Sequence, residues 1–200
     1  MNSYLPLRSL RVPCILLLLT MTPAMAGTRS RSMSEATRQL VNYFGPNLKA
    51  AGFRKSSRQT WHLQKDEVVL VVNIQGSQWG NQAYVNLAVY LRALGGEVQP
   101  SLSHCHILQR LELLVGRENA SRLRELLDFD KKISAEDRSA ELRGLLEKFG
   151  MPWLQKFDYL ESAKKVLRSD SPRPIVDPNA LPLLGWTLKE WQGSASGELH

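Results

Sequence analysis

The chain has 200 residues, 43% of them hydrophobic and 22% charged, a composition that excludes a fibrous, low-complexity or wholly disordered protein. Its net charge of +7 suggests a nucleic-acid or anionic-membrane partner, yet Arg8, Arg11, Arg29 and Arg31 supply four of those charges in a stretch without acids. The remaining body is only mildly basic. A chain of this length buries about two thirds of its unfolded surface and needs neither disulfide nor metal to stand.

Arg8 and Arg11 precede an apolar run from Val12 to Met21, and Ala24-Met25-Ala26 follows it, which is the pattern of a cleavable export signal over residues 1–26. Cleavage leaves Gly27 first and implies a periplasmic or secreted protein. The run is about half of the roughly 20 residues that a spanning helix needs, so no permanent membrane anchor is expected. Cys14 follows Val12-Pro13 rather than small residues, which disfavours a lipid-modified cysteine. The alternative is a true start at Met33, just ahead of a helix signal, and a cytoplasmic protein. After cleavage Cys105 is the one cysteine left, so the disulfide framework of a small secreted scaffold is absent.

Ser32-x-x-Glu35 has capping-box spacing, and Ala36, Leu40, Val41, Phe44, Leu48 and Ala51 recur behind it at helical intervals. A first helix is predicted near 34–51, with Gly45-Pro46 kinking or dividing it and Gly52 ending it. Three β-branched and aromatic runs follow: Thr60 to Leu63, Val68 to Ile74 and Tyr84 to Leu91. Turns at Lys65-Asp66 and at Gly76 to Gln82 make them an antiparallel meander.

A register in which Ile74 faces Val85 and Val72 faces Leu87 also sets Asn73 beside Asn86 and Gln75 beside Tyr84. One sheet face is then aliphatic. The other gathers Asn73, Gln75, Tyr84 and Asn86, with Trp61 and Trp79 expected at its border, and can hold a polar ligand or a protein partner by directional hydrogen bonds. Internal hydrogen bonding or simple solvation of those side chains is the competing explanation.

After Pro100 the chain turns helical. Leu123, Leu126 and Leu127 share one face, and Ser134-x-x-Asp137 caps a segment carrying Leu142, Leu145, Leu146 and Phe149 that Gly150 is expected to stop. Pro152 suits the first turn of another helix with Trp153, Phe157 and Leu160 on its buried side. Four prolines within 172–182 predict an extended connector, and Leu183, Leu184, Trp186, Leu188 and Trp191 form an apolar cluster able to dock back. The expected organisation is a single α+β domain over 34–168: an N-terminal helix and an antiparallel β-meander of at least three strands, covered by C-terminal helices. Residues 169–200 are a connector and tail.

His104-Cys105-His106 with Arg110 is the most chemical-looking stretch. A thiolate beside imidazoles and a guanidinium can act as a nucleophile, which makes a thiol-dependent enzyme the alternative to a non-catalytic binding module. Against it, neighbours on a strand point to opposite faces, and no Asn or Asp orienter is identifiable. No metal site is expected, because His104 and His106 are only a pair and His62 and His200 lie far away in sequence. Phosphate-binding loops and nucleophile elbows are missing, so no cofactor is expected. Arg54-Lys55-Ser56-Ser57-Arg58 ahead of Trp61 resembles a nucleic-acid patch, but such charge also guards an edge strand against aggregation; no nucleic-acid partner is expected.

Three stretches together resemble a bacterial family, the domain of unknown function 4304 family. They are Ala51-Gly52-Phe53-Arg54-Lys55, then Val72-Asn73-Ile74-Gln75-Gly76-Ser77-Gln78-Trp79 leading into Val85-Asn86-Leu87-Ala88-Val89-Tyr90, and Cys105-His106-x-x-x-Arg110-Leu111. The resemblance covers about residues 34–116. It implies an α+β domain without an assigned reaction, cofactor or partner. The chain departs from the family pattern where Leu113 to Glu118 carries no tryptophan, and in its export signal.

Overall fold

A computed structural model of the chain describes residues 33–169 and 172–195. The stretch 1–26 expected to be an export signal, Cys14, Ser32 and His200 lie outside the described residues. The first helix, α1, spans Glu35–Ala50 and buries Leu40, Val41, Phe44 and Leu48. Its cap is Ser34 rather than Ser32: the Ser34 hydroxyl accepts from the Thr37 amide at 3.2 Å and bonds the Thr37 hydroxyl at 2.8 Å. Pro46 sits inside α1 without dividing it. A proline removes only the bond to the carbonyl four residues earlier, here Asn42, and packing of the apolar stripe holds the remaining turns. Gly52 takes the left-handed conformation, φ +87°, which lets the chain leave the helix at once for the sheet.

Six antiparallel strands follow, lying side by side in chain order: β1 (Arg54–Lys55), β2 (Thr60–Gln64), β3 (Val68–Gly76), β4 (Ala83–Leu91), β5 (Ile107–Arg110) and β6 (Ile175–Val176). The β3–β4 register pairs Ile74 with Val85, Val72 with Leu87, Asn73 with Asn86 and Gln75 with Tyr84, as the alternation predicts. Three of the strands are not among those the sequence predicts: β1 is two residues long and strongly charged. β5 is four residues long, and β6 lies in the proline-rich stretch read as a connector.

The helical half contains α2 (Leu111–Leu114), α3 (Gly116–Leu127), α4 (Ala135–Leu145), α5 (Met151–Gln155) and α6 (Leu160–Ser169). Gly150 does not stop its helix. A wide π-turn, Leu146–Gly150, carries α4 directly into α5. A Cβ at Gly150 would stand 2.8 Å from Leu146, 3.3 Å from Leu111 and 3.4 Å from Leu87, so this glycine serves close approach to the sheet rather than helix termination. Pro152 falls within α5, where its missing amide leaves the Lys148 carbonyl without its usual donor.

The helices and the aliphatic sheet face form one core that includes Phe44, Val72, Ile74, Val85, Leu87, Leu123, Leu146 and Phe157. The segment after 172 belongs to it too. Val176, Ala180, Leu181 and Leu184 are buried there, and α7 (Leu188–Ala195) follows. Arg173 stacks 4.9 Å from the Trp191 ring, and that ring lies 5.5 Å from Trp186. Apolar residues override the extended preference of the prolines once a strand edge and an open core are within reach. Among the described residues no helix is long and apolar enough to cross a membrane.

Arg138 is a buried cation, 3% exposed. Its guanidinium donates to the carbonyls of Leu126, Asp128 (3.0 Å) and Lys131 (2.8 Å) and lies 4.4 Å from the Phe129 ring. It thereby satisfies the chain leaving α3. Arg138→Leu is expected to destabilise the fold by about 3 kcal/mol, since it strands buried carbonyls. Arg122→Leu, which breaks an exposed bridge to Glu141, should leave the melting temperature nearly unchanged; equal losses in a thermal melt of the two variants would contradict this assignment.

Candidate functional site

The second face of the sheet has two chemically different halves. Pairing aligns Thr60, Asn73, Asn86 and Arg110 in one row across β2 to β5, and side chains directly opposite one another share a face. The Asn73 amide donates to the Thr60 hydroxyl at 2.9 Å. Asn86 donates to the Asn73 carbonyl oxygen at 3.4 Å and to that of Gln75 at 3.2 Å. Asn73 and Asn86 are 7% and 5% exposed, so these amides chiefly satisfy one another. The groups left facing outward are Gln75, Tyr84 and Arg110. The Arg110 guanidinium stacks 4.7 Å from the Tyr84 ring, a cation–π contact that holds both side chains in place.

The other half of this face is apolar and covered. Val69, Val71, Ala88 and Tyr90 pack with Cys105 beneath the loop that runs from β4 to β5. His62 fastens that loop by donating from Nε2 to the Pro100 carbonyl at 2.8 Å.

Four of the six ligand-site candidates, Asn73, Gln75, Tyr84 and Asn86, are thus brought together. Trp61 is not with them: it pairs with Val72 on the aliphatic face and is 2% exposed. The correction follows from alternation, since Thr60 opposite Asn73 forces its neighbour Trp61 to the other side. Trp79 is 88% exposed in the β3–β4 loop, at the end of the sheet where Gln75 and Tyr84 pair. Sequence reasoning missed Thr60 as a member of the row and considered Arg110 only as a neighbour of the thiol. Extending the pairing through the Lys65-Asp66 turn would have placed Thr60.

The Cys105 constellation does not assemble. Burial, helped by the negative charge of Glu97, pushes the thiol up to about 12 from an ordinary 9.0, and the Cys105 Sγ donates to the Ser101 carbonyl at 3.4 Å. His104 is exposed and pairs with Glu97 at 2.8 Å. His106 accepts the Leu91 amide hydrogen on Nδ1 at 3.0 Å and packs 4.8 Å from Tyr90, which fixes the neutral imidazole; burial lowers its pKa. Each candidate partner is therefore committed elsewhere, Arg110 to Tyr84. Among the described residues no group of three or more potential ligands could hold a metal ion.

A family model, domain of unknown function (DUF4304), matches residues 44–156, more than half of the chain. The protein belongs to that family. No curated protein and no solved structure matches the chain significantly.

An alkylating reagent such as iodoacetamide is expected to leave Cys105 unmodified in the native protein near about pH 8 and to label it once the chain is unfolded. Native labelling at the rate of a free thiol would refute the neutral, buried state. Stability should respond in the same sense. The unfolded chain surrenders this proton first as pH rises, so the contribution is complete below the ordinary value of 9.0 and is lost toward about 12; Cys105→Ala should flatten that alkaline decline in melting temperature.

Proposed function

We propose that the protein is a non-catalytic binding module of a bacterial cell that engages a protein partner through the open end of its polar sheet face. The observation that carries this reading is the Arg110–Tyr84 stack, held at 4.7 Å above amides that already satisfy one another. Such a pair loses little side-chain freedom on binding, and Tyr, Trp and Arg are the residue types that dominate interface energetics. Trp79, nearly fully exposed in the adjoining loop, supplies a third. Gln75, whose carbonyl oxygen is held by Asn86, keeps its own amide hydrogens for a partner.

The thiol-dependent alternative is not favoured, because a thiol pushed to about 12 supplies almost no nucleophile at neutral pH. We also propose that the protein works outside the cytoplasm after cleavage before Gly27, on the strength of the Arg8, Val12 to Met21 and Ala24-Met25-Ala26 pattern. The partner is then an envelope or extracellular protein.

The test places a photo-crosslinking amino acid at position 79 in cells that express the full chain. One discrete crosslinked product, abolished by Tyr84→Ala, is the expected result. No product beyond that given by a crosslinker at exposed Lys189, or a product indifferent to Tyr84→Ala, would overturn the assignment.

A further inference from the structure

On the opposite face of the sheet a cavity of about 490 Å³ opens between α1 and the β1 edge. Buried Phe53 and Trp61 form its floor, and Gly45 and Pro46 its helical wall. A Cβ built at Gly45 meets nothing within 4 Å. Lys49, Arg54 and Lys55 stand around it, and no acidic side chain lines it. None of these three cations joins the ion pairs seen among the described residues; Lys55 instead holds its ammonium 5.4 Å from the Trp61 ring. Unneutralised charge beside an apolar floor is the complement of an anionic ligand with an apolar body.

The backbone adds a direction. The Ser56 amide donates to the Thr60 carbonyl at 3.0 Å, and the register runs Lys55 with Trp61 and Arg54 with His62. Antiparallel pairs alternate between bonded and unbonded, so Lys55 belongs to an unbonded pair and its N–H and C=O point away from β2, off the free edge of the sheet. Asn42, whose carbonyl loses its helical donor to Pro46, lines the same cavity.

We infer that this groove docks an acidic, extended segment of another protein, which adds to β1 as a further strand and sets one aromatic or large aliphatic side chain over Phe53 and Trp61. Strand addition supplies main-chain hydrogen bonds, and the pocket supplies selectivity. Arg54 and Lys55 then keep the edge from pairing indiscriminately, while Lys49 and Lys55, on the cavity's side of the sheet, select for carboxylates. Single-stranded nucleic acid fits less well, because it has no peptide N–H and C=O ladder to pair with the free edge of β1.

The experiment pans a random dodecapeptide display library against the purified full chain. Expected are sequences with acidic residues flanking a single aromatic or large aliphatic residue, binding saturably as synthetic peptides and weakened about tenfold or more by Lys55→Glu, with partial loss on raising the salt. Gly45→Leu, a change toward a better helix former at a position with open space, should fill the cavity and abolish binding while the melting temperature holds. Failure to enrich any peptide overturns the inference, as does binding unaffected by Gly45→Leu and Lys55→Glu, or tighter binding of an oligothymidylate than of the selected peptide. The site lies on the opposite face from Arg110 and Tyr84, so its failure leaves the polar-face reading untouched.

Discussion

The pairing of β3 with β4 is the constraint on which the rest of the molecule depends. Nine residue pairs, from Val68–Leu91 to Gly76–Ala83, are locked in one register. A one-residue slip of β3 against β4 would carry Val72 and Ile74 out of the core and turn Asn73 and Gln75 into it. The helical half, Gly150 included, is built onto the surface this register creates. So is the polar row, because the same alternation that aligns the aliphatic residues on one side aligns Asn73 with Asn86 on the other.

That row separates structural from available chemistry. Thr60, Asn73 and Asn86 spend their hydrogen bonds on one another in a nearly closed environment, where an unsatisfied amide would cost about 1–3 kcal/mol. Gln75, Tyr84 and Arg110 lie around them where solvent reaches. The amides thus act as a rigid bed, and the outer groups are the ones free to meet another molecule. A similar separation explains Cys105: a thiol that serves the packing of Val69, Val71 and Ala88 is removed from reactivity by the burial that makes it useful there.

The central pair of strands is legible in the sequence because two long apolar runs whose polar residues, Asn73 and Gln75 on one and Tyr84 and Asn86 on the other, fall at alternate positions admit few registers. The short strands are not. Ile107–Arg110 follows a polar His-Cys-His step, and Ile175–Val176 is surrounded by prolines; both are fixed by the neighbour they pair with rather than by their own pattern. Trp61, expected at the border of the polar face, lies on the aliphatic one, because pairing across the Lys65-Asp66 turn sets Thr60 opposite Asn73 and Trp61 opposite Val72. Gly150 and Pro152 looked like a stop and a start, whereas close packing against Leu87 and a π-turn let the helix run through them. The cation–π contact of Arg110 on Tyr84 was hidden for the same reason as β5: neither residue announces its partner until the strands are aligned.

The division of labour on the polar face is tested most directly by measuring thermal stability and capture of the crosslinked partner side by side for Asn73→Ala and Arg110→Ala. The account predicts that Asn73→Ala lowers the melting temperature, while Arg110→Ala leaves it near that of the parent protein and loses the partner. A stable Asn73→Ala protein, or an Arg110→Ala protein that still captures the partner at full strength, would contradict it.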